Sequence, residues 1–146
     1  MFTLRHIAIV CKEDLESLKQ FYVKLFKPFK IKIANEEGPQ LENITGIKNI
    51  KIITCKLFCD GINLEIIKYI NPSPNKFVKT NSAFTGLNHI AFNVESFSSS
   101  LKLVKQYGGH LINKNFVIEK NKEINVAYVS DPEGNILELV KSNQIS

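Results

Sequence analysis

Two histidines and two glutamates stand at repeated positions of this 146-residue chain, and together they have the side chains needed to bind a metal ion. The segment LRHIAIV around His6 is repeated as LNHIAFNV around His89, 83 residues later. The segment GINLEII around Glu65 is repeated as GNILELV around Glu138, 73 residues later. The sequence therefore predicts two copies of one unit, each with a histidine near its start and a glutamate near its end.

Three of these side chains are predicted to lie on strand faces that they share with small or aliphatic neighbours, and Glu65, which shares its face with Asn63 and Ile67, is a weaker case. Side chains alternate along a strand, so His6 shares a face with Leu4 and Ala8, and Glu138 has aliphatic neighbours on both sides of its face. A carboxylate on an apolar face costs several kcal/mol unless it is paired, protonated or bound to a metal. One such residue is more commonly a satisfied polar group of the core, whereas two equivalent pairs can converge on one point.

The composition of this set indicates which metal ions it would suit. Two imidazoles and two carboxylates form a neutral site with a divalent cation, and they suit nickel, zinc, cobalt, iron or manganese better than calcium, which prefers oxygen alone. We therefore expect one divalent metal ion per site, bound by His6, Glu65, His89 and Glu138.

The same succession of elements is predicted between the histidine and the glutamate of each copy. Helices are predicted over residues 13–26 and 96–107, where apolar side chains recur at helical spacing. Further strands are predicted at residues 29–33, 50–59 and 63–69 of the first copy, and at residues 111–118, 123–130 and 135–141 of the second. A polar stretch through Gly46 precedes the strand at 50–59. Each copy is therefore predicted as β-α-β-β-β.

The predicted domain organisation is a single domain over residues 1–146. Module one covers about residues 3–70, a linker rich in Pro, Ser and Asn covers about 71–85, and module two covers about 86–142. Because a module of about 65 residues buries little core by itself, we expect the two modules to share one core.

Composition and charge exclude several classes of partner. The chain has 19 Lys and Arg against 14 Asp and Glu, and its lysines are scattered, which favours a solvated surface over a nucleic-acid interface. No apolar run approaches the roughly 18 residues of a membrane span, and the first twenty residues do not resemble a signal peptide. Cys11, Cys55 and Cys59 are interpreted as buried, reduced thiols of a cytoplasmic protein. We expect neither a nucleic-acid nor a membrane partner.

The chain resembles the vicinal oxygen chelate superfamily, which includes glyoxalase I, methylmalonyl-CoA epimerase, extradiol ring-cleavage dioxygenases, and fosfomycin- and bleomycin-resistance proteins. The resemblance covers nearly the whole chain; it is carried by both histidine blocks, by Leu64-Glu65, and by DPEGNILEL at residues 131–139. It implies an α+β fold in which two βαβββ modules pair into an open, curved, mostly antiparallel eight-stranded sheet around a central cleft. It also implies His6, Glu65, His89 and Glu138 as the metal ligands.

The resemblance further implies proton-transfer chemistry. In the glyoxalase-like members a metal-site glutamate moves the proton, which implies Glu138 as the base and Glu65 as its partner on the opposite side. The expected activity is that of a divalent-metal-dependent lyase, isomerase or epimerase that shifts a proton next to a carbonyl through a metal-bound enediolate or enolate. The expected substrate is a small molecule such as an anionic thioester or hemithioacetal. A homodimer is expected. In some members of the superfamily the two chains of the dimer exchange modules.

Two other functions remain open at this point. An extradiol-type dioxygenase fits a complete His-Glu-His-Glu set less well, because a facial triad uses two histidines and one carboxylate. The third function is non-catalytic binding of a small molecule by a resistance-type protein. Val10 and Tyr69 replace an arginine and an asparagine of many bacterial glyoxalase I sequences, which argues against glutathione contacts. Glu42 is interpreted as a solvated loop residue, and His110 is placed outside the site.

Overall fold

The computed structural model describes residues 1, 3–74, 86–112, 117–119 and 124–141. The chain divides into two compact units, Met1–Lys76 and Phe77–Ser146, and each is described by itself. The boundary between them falls within the predicted linker, most of which lies outside the described residues. A core common to both modules stays a prediction.

Unit one contains a mixed four-stranded sheet with the strand order β1-β4-β3-β2. Its elements are β1 (Ile7–Cys11), α1 (Leu15–Phe26), β2 (Lys30–Glu37), α2 (Pro39–Thr45), β3 (Lys51–Phe58) and β4 (Asn63–Asn71). Strand β1 runs parallel to β4, whereas β3 is antiparallel to both of its neighbours, β2 and β4.

Unit two repeats this topology with the strand order β5-β9-β8-β6. Its elements are β5 (His89–Asn93), α3 (Phe97–Gln106), β6 (His110–Leu111), β7 (Val117–Glu119), β8 (Ile124–Ser130) and β9 (Ile136–Lys141). The strand predicted over residues 111–118 is divided into β6 and β7, and both of these pair with β8. The residues from 113 to 116 of that prediction lie outside the described part of the chain.

The predicted α+β class and the β-α-β-β-β order of each module are confirmed, with one addition in unit one. Helix α2 occupies the region predicted as a polar stretch. Pro39 begins it, and Gly46 ends it with a φ of 72°, a left-handed conformation that glycine adopts without steric cost. The Thr45 hydroxyl also donates to the carbonyl of Leu41 at 2.8 Å.

Each module has a helix that begins at a capping side chain and buries one face. The Asp14 carboxylate accepts from the backbone N–H of Glu16 at the start of α1, and the Ser96 hydroxyl accepts from the backbone N–H of Ser99 at the start of α3. The buried helical side chains are Leu18, Phe21 and Tyr22 in α1, and Phe97 and Val104 in α3. Each helix contacts the last strand of its own module, β4 or β9, so the opposite face of each sheet is left for other contacts.

The three cysteines are buried, as expected from the sequence, and none forms a disulfide. Burial raises the pKa of the Cys55 thiol and of the Cys59 thiol, because a thiolate is poorly solvated there. Within the described ranges, no helix combines the length and the apolar character needed to cross a membrane.

The turn before β9 is stabilised by a fully buried carboxylate, that of Asp131. It accepts hydrogen bonds from the backbone N–H groups of Glu133 and Asn135 and from the Asn135 side-chain amide, at 2.8 to 2.9 Å. Because D131A leaves these donors without their acceptor, we expect it to lower the free energy of unfolding by about 2 kcal/mol, measured by urea denaturation.

The matched control for this prediction is D60A, because Asp60 is an exposed acidic residue in the corresponding turn of unit one. We expect D60A to change the free energy of unfolding by less than about 0.5 kcal/mol. Equal losses in both variants would show that the hydrogen bonds of Asp131 do not stabilise the turn.

Candidate metal centre

The repeated histidines and glutamates occupy equivalent positions in the two sheets. In unit one, Ala8 of β1 lies directly opposite Glu65 of β4. In unit two, Ala91 of β5 lies directly opposite Glu138 of β9. Each histidine precedes its alanine by two residues and therefore lies on the same sheet face as that alanine and the glutamate. The internal repeat is thus also a repeat of strand register.

The unit-one pair is close and is built around a shielded carboxylate. The Nε2 atom of His6 lies 3.0 Å from Oε2 of Glu65, and the Glu65 side chain is only 9% exposed. The other carboxylate oxygen, Oε1, lies 3.3 Å from Nζ of Lys56. Both oxygens of Glu65 therefore have a nitrogen partner, which accounts for a glutamate that is buried on a strand.

The unit-two pair is more widely spaced than the unit-one pair and its glutamate is more exposed. Its histidine also has two polar neighbours at Nδ1. The Nε2 atom of His89 lies 3.5 Å from Oε2 of Glu138, whose side chain is 23% exposed. The Nδ1 atom of His89 lies 2.9 Å from Oδ1 of Asn88 and 3.4 Å from the Tyr128 hydroxyl. An amide oxygen at this distance accepts a hydrogen bond from the Nδ1–H group, and this tautomer keeps the lone pair on Nε2, the atom nearest Glu138.

The separations within both pairs fit two adjacent ligands of one metal ion. Adjacent donors at about 2.1 Å from an ion lie about 3.0 Å apart in octahedral geometry and about 3.4 Å apart in tetrahedral geometry. The donor atoms of His6 and Glu65 are 3.0 Å apart, and those of His89 and Glu138 are 3.5 Å apart. Imidazole nitrogen and carboxylate oxygen are also the donors that suit a divalent transition metal.

The four residues predicted from the sequence are thus brought together as two pairs, one in each unit. Among the residues that the structure describes, no three His, Cys, Asp or Glu side chains are grouped closely enough to hold a metal ion. Each unit by itself therefore contributes two donors, and the convergence of both pairs on one ion stays a prediction.

One residue beside each glutamate was not predicted from the sequence. It lies directly opposite the glutamate, on the neighbouring antiparallel strand. Lys56 of β3 lies opposite Glu65, and Tyr128 of β8 lies opposite Glu138. The Tyr128 and His89 ring centres are 4.9 Å apart. The turn before the last strand indicates that a hairpin forms, but the length of the connection, which the sequence leaves open, decides which residue lies opposite each glutamate.

Two other polar residues lie outside the predicted metal site. Glu42 is not in a loop: it lies in α2, and its Oε1 atom accepts a hydrogen bond from the backbone N–H of Asn49 at 3.0 Å. That bond gives Glu42 a structural role. His110, which the sequence placed outside the site, lies on β6, and its Nδ1 atom is 2.7 Å from the hydroxyl of Ser130, its cross-strand neighbour.

The chain has the fold of glyoxalase-family proteins and of fosfomycin resistance proteins. A glyoxalase family protein from Bacillus cereus matches it with a TM-score of 0.80 at 18% sequence identity, over 97% of this chain and 95% of that one. A glyoxalase family protein from Enterococcus faecalis matches with a TM-score of 0.60 at 22% identity, over 94% of this chain and 96% of that one.

The fosfomycin resistance protein FosX from Listeria monocytogenes, in a complex with Mn(II) and sulfate, is also similar to this chain. Its TM-score is 0.57 at 16% identity, over 98% of this chain and 94% of that one. No protein-family model matches the sequence, and no curated protein matches it. The likeness to these solved structures confirms the α+β fold of two βαβββ modules, whereas the pairing of the modules into one sheet around a central cleft stays a prediction.

Proposed function

We propose that the protein is a divalent-metal-dependent enzyme that moves a proton next to a carbonyl group of a small molecule, as a lyase or isomerase of the glyoxalase or epimerase type. The observation that carries the proposal is the same histidine–glutamate pair, built twice at the same strand register. The similar fold of FosX, which has been crystallised with Mn(II), supports a metal in a protein of this architecture.

In this proposal His6, Glu65, His89 and Glu138 hold the ion, either within one chain or across a homodimer. A bound divalent ion acts as a Lewis acid that makes the C–H group next to a coordinated carbonyl more acidic. The contribution of the protein is then to hold the ligands in place and to supply a base.

Glu138 is the better candidate for the base, because its carboxylate is the less restrained of the two. Its Oε2 atom lies 3.5 Å from His89, and within the described part of the chain its Oε1 atom makes no hydrogen bond or ion pair. Glu65 is engaged at both oxygens, by His6 and by Lys56. A carboxylate that is to accept a proton from a substrate must have an oxygen free to approach it.

Glu65 and His89 are suited to holding the metal ion rather than to moving a proton. The two nitrogen partners of Glu65 orient its carboxylate, so we assign it as the fixed carboxylate ligand and the partner of Glu138. Asn88 orients the imidazole of His89 through Nδ1, as an outer-shell acceptor does for a metal-binding histidine. We propose an anionic thioester or hemithioacetal as the substrate.

A second candidate function is resistance-type action on a small molecule, either by modification or by sequestration. The observation that favours it is the likeness to FosX over nearly the full length of both chains. The difference from the leading proposal is testable, because a sequestering protein would keep its ligand affinity after E65Q and E138Q.

The proposal is tested by metal analysis followed by an activity screen. Purified protein is expected to bind about one equivalent of nickel, cobalt, zinc or manganese per predicted site at neutral pH, measured by elemental analysis after desalting. The metal-loaded protein is then assayed with the methylglyoxal–glutathione hemithioacetal and with methylmalonyl-CoA. We expect turnover of one of these and a loss of that turnover after chelation.

Two outcomes would contradict the proposal. One is protein that binds none of these metals above the background of a protein without such ligands. The other is turnover that is unchanged by chelation. Oxygen uptake with a catechol would instead favour ring-cleavage chemistry.

A further inference from the structure

The free face of the first sheet carries a row of charged side chains that the proposed chemistry does not use. Glu65, Lys56 and Lys32 lie directly opposite one another across β4, β3 and β2. Lys30 lies on the same face as Lys32, because alternate residues of a strand point the same way. Lys56 therefore borders the glutamate of the His6–Glu65 pair directly, and Lys32 and Lys30 lie on the same face one strand further away.

The row of Glu65, Lys56 and Lys32 contains more positive than negative charge. Like charges directly opposite each other on antiparallel strands are unfavourable, and Lys32 and Lys56 form such a pair. Lys56 is compensated by Glu65 at 3.3 Å, but that carboxylate also has His6 as a partner on its other oxygen. Within the described residues Lys32 makes no ion pair. An anion between the two ammonium groups would relieve this repulsion.

The second unit shows that the fold itself does not require these lysines. The residue opposite Glu138 is Tyr128, the counterpart of Lys56. The next residue in that row is Ile112, whose backbone N–H donates to the carbonyl of Tyr128 at 3.0 Å. The same register is thus formed without cations in unit two, so the charged row is a particular property of unit one.

We propose that Lys32 and Lys56 form a subsite for an oxyanion group of the substrate, of the carboxylate or phosphate type, next to Glu65. This inference rests on the proposed function, because it assigns the anionic part of that substrate to a surface beside one metal-binding pair. Lysine suits this role because a flexible ammonium group binds an oxyanion as a point charge. Lys56 is 41% exposed, so its ammonium group is accessible to a ligand.

The test is lysine acetylation of the metal-free protein, with and without inorganic phosphate, at constant ionic strength. We expect phosphate to slow the labelling of Lys32 and Lys56 by about threefold or more, as read by peptide mass spectrometry, because a bound anion covers both amines. Lys48 is the reference, since it is an exposed lysine in a turn of the same unit. Equal labelling with and without phosphate at Lys32 and Lys56 would overturn the subsite.

Charge-removing variants provide the second arm. K32Q and K56Q are each expected to weaken phosphate binding by about fivefold in calorimetry, whereas K48Q is expected to leave it unchanged. An equal loss in K48Q would overturn the subsite, because it would show a general charge effect. Circular dichroism confirms that each variant is folded before it is compared.

Mn(II) titration of the same proteins separates this inference from the proposed function. K32Q is expected to bind Mn(II) like the unchanged chain. Phosphate protection in a chain that binds no Mn(II) would support the subsite while contradicting the metal enzyme. Mn(II) binding without phosphate protection would support the metal enzyme while contradicting the subsite.

Discussion

H89A is expected to lower the affinity of the protein for a divalent metal ion by at least about 100-fold. His89 Nε2 is one of two donors that unit two supplies, and loss of a direct ligand should cost more than the 10- to 100-fold loss of an outer-shell partner. The measurement is a competition titration with Mn(II) or Zn(II) and a chromophoric chelator. H6A is expected to behave in the same way, because His6 is the equivalent donor of unit one.

The matched control is H110A. His110 is also a histidine of the second sheet, but its ring is hydrogen-bonded to Ser130, and no carboxylate of the described residues pairs with it. Its removal is expected to leave the metal affinity within about twofold of the unchanged chain. If H89A and H110A bind metal equally well, His89 is not a ligand. If H6A keeps full metal affinity while H89A loses it, the two modules do not bind the same ion.

E138Q is expected to reduce kcat for the proton transfer by about 10²- to 10⁴-fold, the range attributable to one positioned general base. The amide cannot accept the proton, but its carbonyl oxygen can still approach the position of a ligand. We therefore expect metal content to be largely retained and KM to change much less than kcat. Exchange of substrate hydrogen for solvent deuterium, followed by NMR, measures the step directly.

The control for this variant is E95Q, because Glu95 is exposed in the same unit and, within the part of the chain that the structure describes, has no histidine partner. It is expected to keep the kcat of the unchanged chain. Full proton-transfer activity in E138Q would rule out Glu138 as the base. The comparison with E65Q then tests the assignment of roles, because we expect E65Q to lose metal as well as activity.

The parts of the structure that the sequence predicted well are those that depend on local pattern. Helices α1 and α3 follow from apolar spacing, and their observed ends lie within two residues of the predicted ranges 13–26 and 96–107. The equivalence of the two glutamates follows from the internal repeat, which the register of Ala8 with Glu65 reproduces in the structure. Neither inference requires knowledge of distant contacts.

Helix α2 could not be predicted, because it is too short to show a period. Its seven residues include only Leu41 and Ile44 as large apolar side chains, and two positions do not distinguish a helix from a loop. The signals that were present, Pro39 at the start and Gly46 at the end, are equally typical of turns.

The lysine and tyrosine opposite the two glutamates were missed because they depend on hairpin register. Phe58 pairs with Asn63, so the connection between β3 and β4 places Lys56 opposite Glu65. A shift of one residue would have turned Lys56 to the other face of the sheet. A turn such as Asp60-Gly61 indicates that a hairpin forms there, but it leaves open how many residues the connection contains.

The alanine opposite each glutamate has a steric consequence. Ala8 and Ala91 lie on the free face, directly beside the carboxylates of Glu65 and Glu138, and both are exposed. A methyl group is the smallest side chain that still has a Cβ, so these two positions leave space next to each carboxylate. A leucine or phenylalanine there would occupy the volume that the proposed ion and its substrate would need. The repeated alanines therefore keep space open beside both carboxylates.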